Sequence, residues 1–213
     1  MARNKYPEVT VEKILETAQR LFLEKGYDNT TIQDIVDELG GLTKGAIYHH
    51  FRSKEEIMDA LGDKMFAGSN PFEKLKGRRD LSGLQKIRLA VMMNQSDETQ
   101  IELTKQAIPI LKNPHVLARM IDSNRRTLSP RWLELIEEGQ RDGSIHTEYA
   151  KELSELMVLF DLWLIPSVFP GDKGAIHSRF MCMMEILEKM GLPLYEKELE
   201  EKFMSLPYFS GTE

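Results

Sequence analysis

The sequence has almost no cysteine: Cys182 is the one thiol in 213 residues. A single thiol forms no intramolecular disulfide, which points to a reducing compartment and a cytoplasmic protein. Long apolar runs are missing as well. The most apolar stretch, Leu156 to Phe169, is broken by Asp161 and Pro166 and falls short of the roughly 20 residues that cross a bilayer, so no membrane association is expected. Near the N-terminus, Glu8, Glu12, Lys13 and Glu16 occupy the place where an export signal needs its apolar core. Glycine and proline, 14 and 9 residues, are too scarce for collagen-like or low-complexity chains. Positive charge does not dominate either. Twenty-eight Lys and Arg against 34 Asp and Glu give a formal net charge of -6, which argues against coating nucleic acid through bulk charge.

What the sequence does have is helical periodicity throughout. From Val11 to Lys25, the residues Ile14, Leu15, Ala18, Leu21 and Phe22 line one face of a helix, with Gly26 as its stop. A second segment opens at Thr30-Thr31, where Thr30 and Gln33 fit a capping box, and Gly40-Gly41 ends it. Thr43 is the expected N-cap of a third helix running to Phe51, and Ser53, with Glu56 as capping partner, opens a fourth through Ile57, Ala60, Leu61 and Met65. Between Gly68 and Gly83 the composition shifts to that of a loop, which suggests a module boundary. Beyond it the pattern predicts helices over 84–93, 102–111, 114–124, 129–141, 148–168, 173–190 and 196–204, with Pro109 kinking the second of these. The expected fold is all-α, with a reader module over 1–66 and a helical regulatory bundle over 67–213.

Two short helices joined by a glycine-containing turn and packed on a longer helix form a helix-turn-helix, whose second helix enters the major groove. The chemistry of the segment agrees. No acidic residue lies between Glu38 and Glu55, while Lys44, His49, His50, Arg52 and Lys54 all fall in that window. A helix N-terminus near Thr43 offers amides to a phosphate, and Tyr48 offers a hydroxyl on a rigid ring. Adjacent His49 and His50 point about 100° apart on a helix, and no third ligand is suitably spaced, so no metal is expected.

The run Thr30-Thr31-Ile32-Gln33-Asp34-Ile35-Val36, followed by Leu42-Thr43-Lys44-Gly45-Ala46-Ile47-Tyr48-His49-His50-Phe51 and Ser53-Lys54-Glu55-Glu56-Ile57, resembles the DNA-binding domain of the tetracycline-repressor (TetR) family. The likeness covers about residues 7 to 66. It implies that Tyr48 and Lys54 contact phosphates, and that Thr31 and Thr43 cap helices and touch the DNA backbone. Gln33, Lys44, Gly45, Ala46 and His49 fall where members of that family approach base edges, with His50 completing the basic window. Ile47 and Phe51 are expected in the core with Phe22 and Ile35. Relative to the family pattern, Gly40-Gly41 reads as a one-residue insertion.

A single helix-turn-helix covers little DNA, so a homodimer on a palindromic double-stranded operator is expected. The last two long helices carry apolar residues on more than one face, and Val158, Leu159, Leu162, Phe180, Met184 and Leu187 are the candidates for the dimer interface. The resemblance also implies a four-helix interface made from that pair. For an unidentified small-molecule effector, Met92, Met93, Trp132, Phe160, Asp161 and Trp163 are the candidate pocket residues, since methionine repacks easily and an acid inside an apolar helix suits a cationic ligand. The reading is a DNA-binding transcriptional regulator, a repressor released by its ligand; the alternative is an effector-free DNA-binding adaptor whose C-terminal helices recruit a protein. No nucleophile elbow, phosphate-cradling glycine loop or metal spacing is present, so neither catalysis nor a cofactor is expected.

Overall fold

Helix starts in this chain are set by hydroxyl and amide side chains that satisfy free backbone N–H groups. Thr31, Thr43, Asn70, Ser82, Asn113 and Asp172 each accept from the backbone of the helix that follows. In the computed structural model, which describes residues 7–67 and 70–209, the chain forms helices α1 (Pro7–Glu24), α2 (Ile32–Leu39), α3 (Lys44–His50), α4 (Lys54–Ala67), α5 (Pro71–Leu75) and α6 (Gly83–Asn94). It continues through α7 (Glu98–Ala107), α8 (Pro114–Thr127), α9 (Ser129–Asp142), α10 (Ala150–Trp163), α11 (Lys173–Lys189) and α12 (Lys197–Met204), with 3-10 turns at Ile108–Lys112 and Pro207–Phe209. No strand occurs among the described residues.

Four local expectations are corrected. The cap of α2 is Thr31, with Asp34 as its capping-box partner, because the fully buried Thr30 hydroxyl is committed to the carbonyls of Leu21 and Gly26, 3.2 and 2.8 Å away. At α4, Ser53 accepts from the Glu56 amide at 3.3 Å, but the Glu56 carboxylate reaches back to the amide of Arg52 at 2.6 Å rather than to that of Ser53. The segment read as a loop holds α5, where Asn70 caps, Pro71 starts the helix, and Phe72 and Leu75 are buried; Gly68 lies outside the described residues. Finally, the helix expected over 102–111 ends at Ala107 and tightens into the 3-10 turn, since Pro109 has no N–H to continue the α-ladder. The end of α10 at Trp163 follows the same logic ahead of Pro166. The Met65 side chain lies outside the described ones.

The apolar residues assemble into two cores. One joins Ile14, Leu21, Phe22, Ile35, Ile47, Phe51 and Ile57 of the first four helices and their turns, and it is completed by Leu111 and Val116 from beyond residue 67. The other gathers Ile87, Trp132, Ile136, Leu153, Phe180 and Leu187 from α6 and α9–α11, with α12 closing it through Leu199 and Phe203. Within this second core, α6 and α9 cross at two glycines. A Cβ on Gly83 would overlap the Gly139 backbone, and a Cβ on Gly139 would overlap Ile145. The crossing is pinned by the Gly83 amide on Asp142 at 2.7 Å and by the buried Lys86 paired with Glu138. Gly83→Ala, although it favours helix, should therefore lower unfolding stability by about 1–3 kcal/mol. Urea denaturation reads this directly, and an unchanged midpoint would refute the close crossing.

Candidate nucleic-acid interface

Helix α3 is held by its inward side and offers the rest to solvent. Ile47 is fully buried and Phe51 nearly so, against Phe22 and Ile35, as the periodicity predicts. Thr43, Lys44, Gly45, Tyr48 and His49 are exposed, while Ala46 and His50 are half-buried. The Lys44 ammonium lies 5.9 Å from the centre of the Tyr48 ring, and the rings of His49 and His50 meet edge-on at 5.3 Å. Thr43 caps the helix through the Ala46 amide at 3.2 Å. The turn before it needs its glycines, because Gly40 and Gly41 have φ of 48° and 128°, the region that L side chains rarely adopt.

The α2 residues are more occupied. The Gln33 amide donates to Asp37 at 2.8 Å. The Thr31 hydroxyl donates to Asp34 at 2.5 Å, and together with Lys25 at 2.9 Å it holds the Asp34 carboxyl well below the usual carboxylate range. Lys54 has a role that the sequence did not signal. Its ammonium donates to the Tyr27 carbonyl at 2.6 Å and sits 4.2 Å from the centre of the Tyr27 ring, tying the start of α4 to the turn after α1. Burial and neighbouring Glu55 push the Tyr27 phenol up to about 12, so it remains a neutral donor.

The regulatory residues are sorted by orientation. Val158, Leu162, Phe180, Met184 and Leu187 are buried in the chain's own core, whereas Leu159 is 50% exposed. Of the pocket candidates, Trp132 and Phe160 are buried core residues, and Met92, Met93 and Trp163 are half-buried. Asp161 lies on the α10 stripe that carries Leu153, Met157, Val158 and Leu164 inward, yet it is exposed and has no hydrogen-bond or ion-pair partner. Desolvation by the surrounding protein pushes its carboxyl up to about 7. Among the described residues no group of three His, Cys, Asp or Glu is placed to hold a metal, and no helix is long and apolar enough to cross a membrane.

A cavity of about 150 Å³ opens between α1, α4, the 3-10 turn and α8. None of the six candidate pocket residues lines it. Two polar contacts flank it, Gln19 to Gln106 at 2.9 Å and a two-pronged pair between Asp59 and Arg119; with Asp28 to Asn113 at 2.6 Å, they tie the first four helices and their turns to the rest.

Residues 14–61, which hold this helix-turn-helix, match the family of bacterial regulatory proteins named tetR. This helix-turn-helix module belongs to the tetR family. The chain that carries it is a DNA-binding transcriptional regulator. The chain is 22% identical over 167 residues to the HTH-type transcriptional repressor KstR2 of Mycolicibacterium smegmatis, a match covering 72% of this chain and 76% of the relative. With KstR2 of Mycobacterium tuberculosis it is 40% identical over 77 residues, covering 30% of this chain and 38% of the relative. The fold also matches a solved structure described as a SmeT–triclosan complex, with TM-score 0.59, 19% identity, and coverage of 82% of this chain and 91% of that one.

Asp161 gives a pH-dependent prediction. Its carboxyl is raised from an ordinary 3.8 to about 7, so the fold favours the protonated form, and ionisation costs progressively more as pH rises from about 4 through 7. Asp161→Asn should melt above the parent at pH 8, with the gap closing below pH 4. A gap that is constant with pH would show that the carboxyl is not held in the fold.

Proposed function

We propose that the chain is a homodimeric repressor whose 1–66 module reads a palindromic operator through α3, and whose 67–213 half releases it when a small molecule binds. The observation that carries the reading is the exposed surface of Thr43, Lys44, Gly45, Tyr48 and His49 on a short, well-capped helix, inside a stretch free of acidic residues from Leu39 to Lys54. Tyr48 and the helix start at Thr43 position the protein on phosphates, and Lys44, Gly45, Ala46 and His49 meet base edges, with Gln33, Thr31 and His50 flanking them. Lys44 has the geometry to donate to guanine. Repression is supported by the relatives' own names as repressors.

The dimer is built from α10 and α11. The residues that α10 has left for a partner are Leu159 together with half-buried Leu156, and α11 adds Met181; Val158, Leu162, Phe180, Met184 and Leu187 support that face from behind. Two α3 helices about 34–36 Å apart then enter successive major grooves. In the regulatory half, Met92, Met93, Trp163 and Asp161 present accessible surface to an effector, and Trp132 and Phe160 back them. Release is a population shift, in which an effector that favours another placement of the two readers costs DNA affinity by that difference.

Fluorescence anisotropy on DNA from upstream of the chain's own gene tests the assignment. Tyr48→Phe, which removes one hydroxyl contact worth about 1 kcal/mol, should weaken binding roughly fivefold. Lys44→Ala should weaken it and reduce the salt slope by about one per subunit. Lys54→Ala should weaken binding and also lower the melting temperature, because Tyr27 loses its tie. Parent-like affinity for Tyr48→Phe and Lys44→Ala would contradict the interface.

A further inference from the structure

The cavity at the junction of the two halves has walls that are mostly apolar, with Met58 and Leu61 on α4 facing Val116 and Met120 on α8. The charged groups around it are paired, apart from Asp63. Arg119 is held by Asp59, Lys64 by Glu12 at 3.0 Å, and Asp63 lies exposed at the mouth. Two polar side chains on the α8 wall, Ser123 and Asn124, have no hydrogen-bond partner of their own. Gly62 sits in the α4 wall, and a Cβ there would meet nothing within 4 Å. A mostly apolar space of about 150 Å³ accommodates a benzene-sized ring. An anion would find no unpaired cation on these walls, a cation would meet only Asp63 in water at the mouth, and either would lose its hydration on entry.

We infer that this junction is a binding site for a small uncharged molecule, an apolar ring with one hydrogen-bonding end that Ser123 and Asn124 hold. The inference rests on the effector-release reading only for its consequence. Helix α4 carries one wall and leads directly back to α3 through Phe51, Arg52 and Ser53, so an occupant that moves α4 against α8 alters where the reader stands. The Asp59–Arg119 pair bridges the same two helices and is the contact that such a movement must strain or remake.

Thermal melting of the full chain with p-cresol and indole, against benzoate and benzylammonium, reads the site without DNA. The neutral rings should raise the midpoint saturably, and the two ions should act at least tenfold more weakly. Gly62→Leu, which fills the space from an open position, should fold normally and lose at least tenfold in affinity for the neutral rings; should it fail to fold, Met120→Trp carries the same comparison. Replacing Ser123 and Asn124 by alanine should weaken p-cresol and leave toluene unchanged. The site is overturned if the neutral rings produce no shift, if the ions bind equally well, or if a folded filled variant responds like the parent. In anisotropy, p-cresol should lower operator affinity at least fivefold. A melting shift without that loss keeps the site and removes its role in operator release, and absence of operator binding by the unliganded chain removes the repressor reading alone.

Discussion

The reader's hydrophobic core is not closed by the reader. Leu111 and Val116, contributed by the 3-10 turn and α8, are 7% and 5% exposed and complete the cluster built on Ile14, Phe22, Ile35, Ile47 and Ile57. Four helices in a module this small bury little surface by themselves, and burial is the main stabilising term. The reader therefore draws part of its stability from the half beyond residue 67. This shared packing makes communication between the halves a matter of contact rather than of distance, since close-packed cores respond to small displacements by switching arrangement rather than by stretching.

The polar contacts at the junction give that packing a direction. Gln19–Gln106, Asp28–Asn113 and Asp59–Arg119 each join an element before residue 67 to one after it. They are exposed or half-buried, so each contributes little alone. Their value lies in fixing one placement of the first four helices against the elements after residue 67. The basic window on α3 then faces outward on a chain whose acidic residues outnumber its basic ones. Such a protein gains little from random DNA and depends on a few matched phosphate and base contacts.

Much of the reader was legible because its signals are local. Thr43 capping α3, the paired glycines before it, and the inward positions of Ile47 and Phe51 all follow from spacing. Where two residues offered the same chemistry, sequence could not choose: Thr30 and Thr31 are both able to cap, and the tertiary hydrogen bonds of Thr30 decide it. Lys54 read only as a phosphate contact, and its tie to Tyr27 spans 27 positions and leaves no local pattern. In α10 and α11 the apolar residues surround the helix, so periodicity did not tell inward Val158 and Leu162 from outward Leu159. The junction cavity had no signature at all. Gly62, Ser123 and Asn124 are unremarkable residues until the fold sets α4 beside α8.

Native-state hydrogen exchange on Leu111→Ala tests the shared core most directly. The substitution sits outside the reader, and truncating a buried leucine costs about 2–5 kcal/mol. The account predicts that amides in α1 and α4 lose protection along with those of α8, because all three enclose the same cluster. Loss of protection confined to residues beyond 67, with α1 and α4 unchanged, would contradict it.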